Sequence, residues 1–162
     1  MKKLLFFLLS AIGILVNGCS SGDATAYKDL VFGMSVEEVK AKGFCDGEQI
    51  RIEDGMNVYE CKYSDFAGID YERAELAFRN DKLAKVHFYN STYSPEYQRK
   101  ISKEVTDYLT SKMGSAQTAG KCDGWRDSNR TYLLYIHVDL SDLSPKYINE
   151  LAICSNQYYK QK

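Results

Sequence analysis

The chain has 162 residues, 44% of them hydrophobic and 27% charged, with a formal net charge of −1. That length suits one domain with a real core. The near balance of charge lacks the basic footprint of a nucleic-acid binder.

The chain opens on Met1-Lys2-Lys3, followed by the apolar run Leu4–Val16. At about 13 residues the run is too short to cross a bilayer, which takes roughly 20. A basic start, a short apolar stretch and a small-residue exit describe a secretory signal over residues 1–18. Without it 144 residues remain, at a net charge of −3.

The exit Val16-Asn17-Gly18-Cys19 resembles the lipobox of bacterial lipoproteins: aliphatic, variable, small, cysteine. The resemblance implies cleavage before Cys19, a diacylglycerol on its sulfur and a further acyl chain, such as palmitate, on the new amine. At about 0.8 kcal/mol per buried CH₂, two or three chains anchor durably where one binds marginally. Ser20 follows the cysteine, which in a Gram-negative host implies forwarding to the outer membrane, facing the periplasm. The expected location is therefore the bacterial cell envelope, with the membrane contacted through the lipid.

Residues 19–27 are small and polar until Tyr27 and read as the lipidated cysteine plus a tether. A single domain is expected over 28–162. Ser35, with Glu38 three residues on, forms a capping box; Met34 and Val39 fit a hydrophobic staple, and Gly43 suits the residue after the helix. Asn57–Tyr63, Glu72–Arg79 and Lys82–Asn90 then read as strands, the last two alternating around an Asn80-Asp81 turn. Ser94, Pro95 and Glu96 start a second helix. Its stripe, Tyr97, Ile101, Val105, Tyr108, Leu109 and Met113, ends at Gly114. Lys121–Arg126, Arg130–Leu140 and Lys146–Ser155 are the remaining expected strands. The pattern is helix–strand–strand–strand twice, over about 28–92 and 93–157. It predicts an α+β fold: an antiparallel sheet of about six strands with helices packed on one face.

Four cysteines besides Cys19 remain: Cys45, Cys61, Cys122 and Cys154. An even number in an exported chain reads as two disulfides, with three possible connectivities. Pairing within each unit, Cys45–Cys61 and Cys122–Cys154, is the expected one. None has the Cys-x-x-Cys spacing of a zinc site, so no metal is expected.

The segment Phe32-Gly33-Met34-Ser35-Val36-Glu37-Glu38-Val39 resembles the helix start of the small lipoproteins of β-barrel assembly (SmpA/OmlA type). The tandem helix-and-strands unit resembles the β-lactamase inhibitor protein fold. Both resemblances imply a sheet backed by helices that acts by binding proteins.

No Gly-x-Ser-x-Gly, His-Glu-x-x-His or phosphate-binding glycine loop is present, so neither an enzyme nor a cofactor is expected. His87 and His137 fall on polar strand faces and could pair only if their strands were neighbours. Tyrosine is the outlier, with 13 residues against 7 phenylalanines and one tryptophan. Aromatic rings with a polar tip are enriched at interfaces, which marks Tyr63, Lys85, His87, Tyr89 and Tyr135 as a candidate binding face. The expected function is an envelope lipoprotein that binds another envelope protein as accessory, inhibitor or immunity factor. The alternative is a binder of a small molecule or cell-wall fragment in a pocket between sheet and helix.

Overall fold

A computed structural model describes residues 25–141 and 143–159. The chain is mostly β. Among the described residues there are twelve strands and two helices, and eight strands form one antiparallel sheet. The expected α+β class with about six strands is thereby overturned. The undercount has a physical cause: both edge strands are only three residues long and largely exposed, so they carry no burial alternation to read.

In chain order, β1 (Thr25–Tyr27) pairs with β2 (Leu30–Val31), followed by α1 (Val36–Ala41), β3 (Arg51–Glu53) and β4 (Met56–Cys61). A small hairpin, β5 (Asp65–Phe66) and β6 (Ile69–Asp70), leads to β7 (Arg73–Arg79) and β8 (Lys82–Thr92). Then come α2 (Pro95–Met113), β9 (Gln117–Ala119), β10 (Cys122–Arg126), β11 (Arg130–Asp139) and β12 (Lys146–Ser155). The large sheet runs β3-β4-β7-β8-β12-β11-β10-β9. Two four-stranded halves therefore meet where β8 pairs with β12.

Local chemistry explains the turns. Asn80 and Asp81 both have positive φ (49° and 58°), as do Asp54 and Gly55 (51° and 72°). Positive φ at both central residues suits a two-residue turn to the right-handed twist of the strands it joins. α1 starts from the predicted capping box: Ser35 Oγ accepts from the Glu38 amide (3.3 Å), and Glu38 Oε2 accepts from the Ser35 amide (2.7 Å). α2 starts at Ser94, whose hydroxyl accepts from the Tyr97 amide (3.2 Å), and buries Gln98, Ile101, Val105 and Leu109.

That buried stripe joins β1, β2 and α1 over one face of the sheet, around Leu76, Val86, Phe88, Leu134, Leu151 and Ile153. The fold begins inside the expected tether of 19–27, with β1 at Thr25. Ala26 and Tyr27 are already buried, and the Tyr27 ring packs edge-on against Phe88 (5.0 Å). A second, smaller cluster of Met56, Val58, Ala77 and Ala84 lies apart from this core and is closed by Tyr158 and Tyr159. Tyr158 also crosses Gly33 (φ +91°) so closely that a Cβ there would meet its hydroxyl at 2.8 Å.

Candidate functional site

Register decides which polar side chains meet on the face turned away from α2. Glu75 on β7 stands opposite His87 on β8, Lys85 stands opposite Cys154 on β12, and Tyr89 stands opposite Glu150. One row across the sheet reads Arg73, Tyr89, Glu150, Tyr135 and Cys122. From the edge, Arg51 on β3 reaches over β4 to Glu75.

The result is a chain of charged groups. Arg51 donates Nη1 to Glu75 Oε1 (2.7 Å) and Nη2 to Oε2 (2.6 Å), the paired geometry that makes arginine–carboxylate contacts strong. Arg51 also donates to Glu53, which lies 3.6 Å from Lys85 Nζ. His87 Nε2 is 3.1 Å from Glu150 Oε2. Its Nδ1 stands 3.6 Å from Glu75 Oε2, an ion-pair distance too long for a hydrogen bond. Glu75 and Lys85 are only 5% and 8% exposed, so they act within the network and cannot themselves touch a partner.

Each charge is held by its neighbours. Burial pulls the Glu75 carboxyl upward, but Arg51 and then His87 outweigh it and hold it well below the usual range. Burial pushes the His87 imidazole down, yet Glu150 and Glu75 bring it above its ordinary value. His87 is thus poised to carry charge between two carboxylates.

Beside this network, in the next row of the same face, aromatic and cationic groups reach solvent. The Arg73 guanidinium lies 4.3 Å over the Tyr89 ring, a cation–π arrangement that presents both as one surface. Tyr135, in the same row, is 47% exposed. Of the five residues expected to form a binding face, Lys85, His87, Tyr89 and Tyr135 share one face. Tyr63 does not join them. It packs against Phe44 (5.1 Å) and under Lys28 Nζ (4.9 Å), beside the β1 strap. Its parity explains this, since Cys61, two residues earlier, points into the main core.

His87 and His137 share a face but not neighbouring strands: β12 lies between β8 and β11. His137 stands opposite Ile148 and His87 opposite Ala152, four positions along the same strand. They do not form a pair. Among the described residues no group of three or more metal-ligating side chains converges. Arg51, Arg73, Glu75 and Glu150 are the site residues that sequence reasoning missed. The alternation of Arg73 and Glu75 along one strand was a visible signal, but their partners come from register alone.

No disulfide joins the four described cysteines. Burial raises Cys45 and Cys122, pushes Cys61 up to about 11 and Cys154 up to about 12. Such thiols carry little thiolate and make poor nucleophiles. The Cys122–Cys154 pairing conflicts with the strand order, since β11 separates β10 from β12. Strands two apart are about 9.5 Å from each other, whereas a disulfide needs Cα atoms within about 7 Å. Cys45 and Cys61 differ: the Lys62 amide donates to the Phe44 carbonyl (2.8 Å), which brings their segments together, and both are buried in the same core. Cys19 lies outside the described residues.

No curated protein and no solved structure matches the chain. The model of one protein family, described as "Uncharacterised protein", matches residues 27–139, from the end of β1 to the end of β11. With more than half of its length matched, the chain belongs to that family.

Proposed function

We propose that the protein is a lipid-anchored lipoprotein of the bacterial envelope that binds another envelope protein through the open face of its sheet. The observation that carries this reading is the row of Arg73 stacked on Tyr89, Glu150 and exposed Tyr135. Aromatic and arginine side chains held rigidly in this way act as anchors at interfaces. The Arg51–Glu75–His87–Glu150 network beside them ties together β3, β7, β8 and β12, and so holds the strands that present Arg73, Tyr89 and Glu150. Tandem halves, each a helix followed by antiparallel strands, also support the inhibitor-type resemblance. The anchor is Cys19, with the lipid holding the domain at the outer membrane, facing the periplasm, in a Gram-negative host.

The test is capture of partners from the protein's own envelope, comparing wild type with a Tyr89→Ala/Tyr135→Ala variant. Truncating both is expected to weaken the partner's binding at least about thirtyfold, the loss that a single hot spot of about 2 kcal/mol would cause. Unchanged capture by a folded variant would remove the open face from the function.

The compartment adds a second expectation. Cys45 and Cys61 would bridge there, the two thiols passing two electrons and two protons to a disulfide-bearing oxidant. Alkylation of the denatured, unreduced protein is then expected to tag Cys122 and Cys154 but leave Cys45 and Cys61 untouched. Tagging of all four would show that the pair stays reduced.

A further inference from the structure

A cleft of about 350 Å³ lies between the C-terminal end of α2 and the β10–β11 turn, away from the open-face network. Its lining includes Tyr108, Lys112, Arg126, Asp127, Arg130 and Tyr132. Three cations line the cleft with one carboxylate, and that carboxylate is already occupied; Arg126 sits at its border with the open face. Asp127 Oδ1 accepts from the amides of Asn129 (2.8 Å) and Arg130 (2.6 Å), and Oδ2 accepts from Arg130 Nε (2.9 Å). Asp127 therefore neutralises and orients Arg130. Lys112 and Arg126 have no carboxylate partner among the described residues, so the cleft keeps about two uncompensated positive charges.

The turn carrying these groups is braced. Asn156 donates its side-chain amide to the Asp127 carbonyl (3.0 Å) and its backbone amide to the Asn129 carbonyl (2.9 Å). Its Oδ1 also accepts from the Thr131 hydroxyl (2.7 Å). A cationic cleft on such a support is preorganised, which lowers the ordering cost of binding.

Its position supplies the occupant. Arg130 Nη1 donates to the Thr25 carbonyl (3.1 Å), so the first described residue on the Cys19 side of the fold lies beside this cleft. Five residues lie between Cys19 and Thr25, so the two are at most about 21 Å apart when the chain is fully extended. The end of the domain that bears Lys112, Arg126 and Arg130 therefore stays close to the surface in which Cys19 is anchored. We propose that this cleft takes the phosphate of an anionic lipid headgroup and so orients the domain, leaving the Tyr89–Tyr135 face free for its partner. This rests on the lipid-anchor reading for the source of the phosphate. The charge and bracing of the cleft stand independently of it.

All strands and helices among the described residues lie within 25–159, so a chain beginning at Ser20 keeps every one of them without signal or lipid. Its binding is to be measured on vesicles of phosphatidylcholine alone, on vesicles with added phosphatidylglycerol, and with inorganic phosphate as competitor. Binding is expected only where the anionic lipid is present, and it should fall with rising salt. Lys112→Ser/Arg126→Ser is expected to weaken it about thirtyfold, each cation near an anionic surface being worth about fivefold. The control Lys42→Ser/Arg99→Ser makes the same charge change at exposed positions elsewhere.

Equal loss in the control, or no preference for anionic vesicles, would overturn the cleft as the site. Phosphate binding at the cleft without vesicle binding would overturn the headgroup as its occupant. Neither result bears on capture through Tyr89 and Tyr135, and the mass of the mature N-terminus tests the anchor separately.

Discussion

Phe88→Ala is expected to lower the unfolding free energy by about 4 kcal/mol, within the range of about 3–5 for a phenylalanine truncated in a core. Phe88 is fully buried on the central strand β8, where it faces Ala74 on β7 and Leu151 on β12. Three aromatic rings converge on it: Tyr27 at 5.0 Å, Tyr71 at 5.3 Å and Phe66 at 5.6 Å. Such pairs add about 0.5–1.5 kcal/mol each beyond area burial. The ring therefore ties the β1 strap and the β5–β6 hairpin to the main sheet. Against a domain stability of about 5–15 kcal/mol, the variant should unfold at a far lower urea concentration. Leu143→Ala, at a fully exposed side chain, is the control and should change stability by less than about 0.5 kcal/mol. A Phe88 loss as small as that would show that the cluster does not hold the strap in place.

Arg51→Ala is expected to cost about 3 kcal/mol, because it leaves the buried Glu75 carboxylate without its paired donor. The figure sits at the low end for a broken buried pair, since the arginine side chain is 39% exposed. The pH dependence checks the mechanism. Glu75 has a lowered folded value, so its contribution is present above the ordinary 4.5 and is lost as pH falls through the folded value. His87 has a raised folded value, so its contribution is full below the ordinary 6.5 and is lost as pH rises through the folded value. Both contributions coexist between about pH 4.5 and 6.5, where the network should stabilise the fold most. In urea unfolding across pH, Arg51→Ala should shift the acid limb to higher pH, whereas His87→Gln should flatten the alkaline limb. Wild-type stability that rises steadily from pH 6 to 8 would show that His87 does not charge in the folded state.

Much of the local structure was legible because its causes are local. The Ser35 capping box, the Ser94-Pro95 start of α2 and the alternation of β7, β8 and β11 depend on residues a few positions apart. The edge strands are a different case. β3 has two exposed residues and one half-exposed, and all three residues of β9 are exposed, so neither shows a buried face. Asp54-Gly55 was nevertheless a readable hairpin signal, with Arg51–Glu53 before it and Met56–Cys61 after it. Given its proper weight, it would have added β3 and moved the fold class toward β.

The candidate face divides along the same line. Strand parity placed Lys85, His87 and Tyr89 together, and it placed Tyr135 with His137. Parity could not say that Glu150, 63 residues away, would meet His87. Nor could it say that β11 would stand between Cys122 and Cys154. Those facts need the order of strands, which is set by burying two apolar faces against one helix layer, a choice made across the whole chain.

Sequence alone determined which segments form α2 and the long strands, where the turns fall, and which residues along each strand share a face. Periodicity and capping act within a few residues, so they can be read there. Tertiary structure alone decided that eight strands join in one sheet, and in which order. It also decided that Glu75 and Glu150 flank His87, that Tyr63 leaves the open face, and that Arg130 sits beside Thr25. Each of these depends on pairing between residues far apart in sequence, where register and burial, rather than local preference, set the contact.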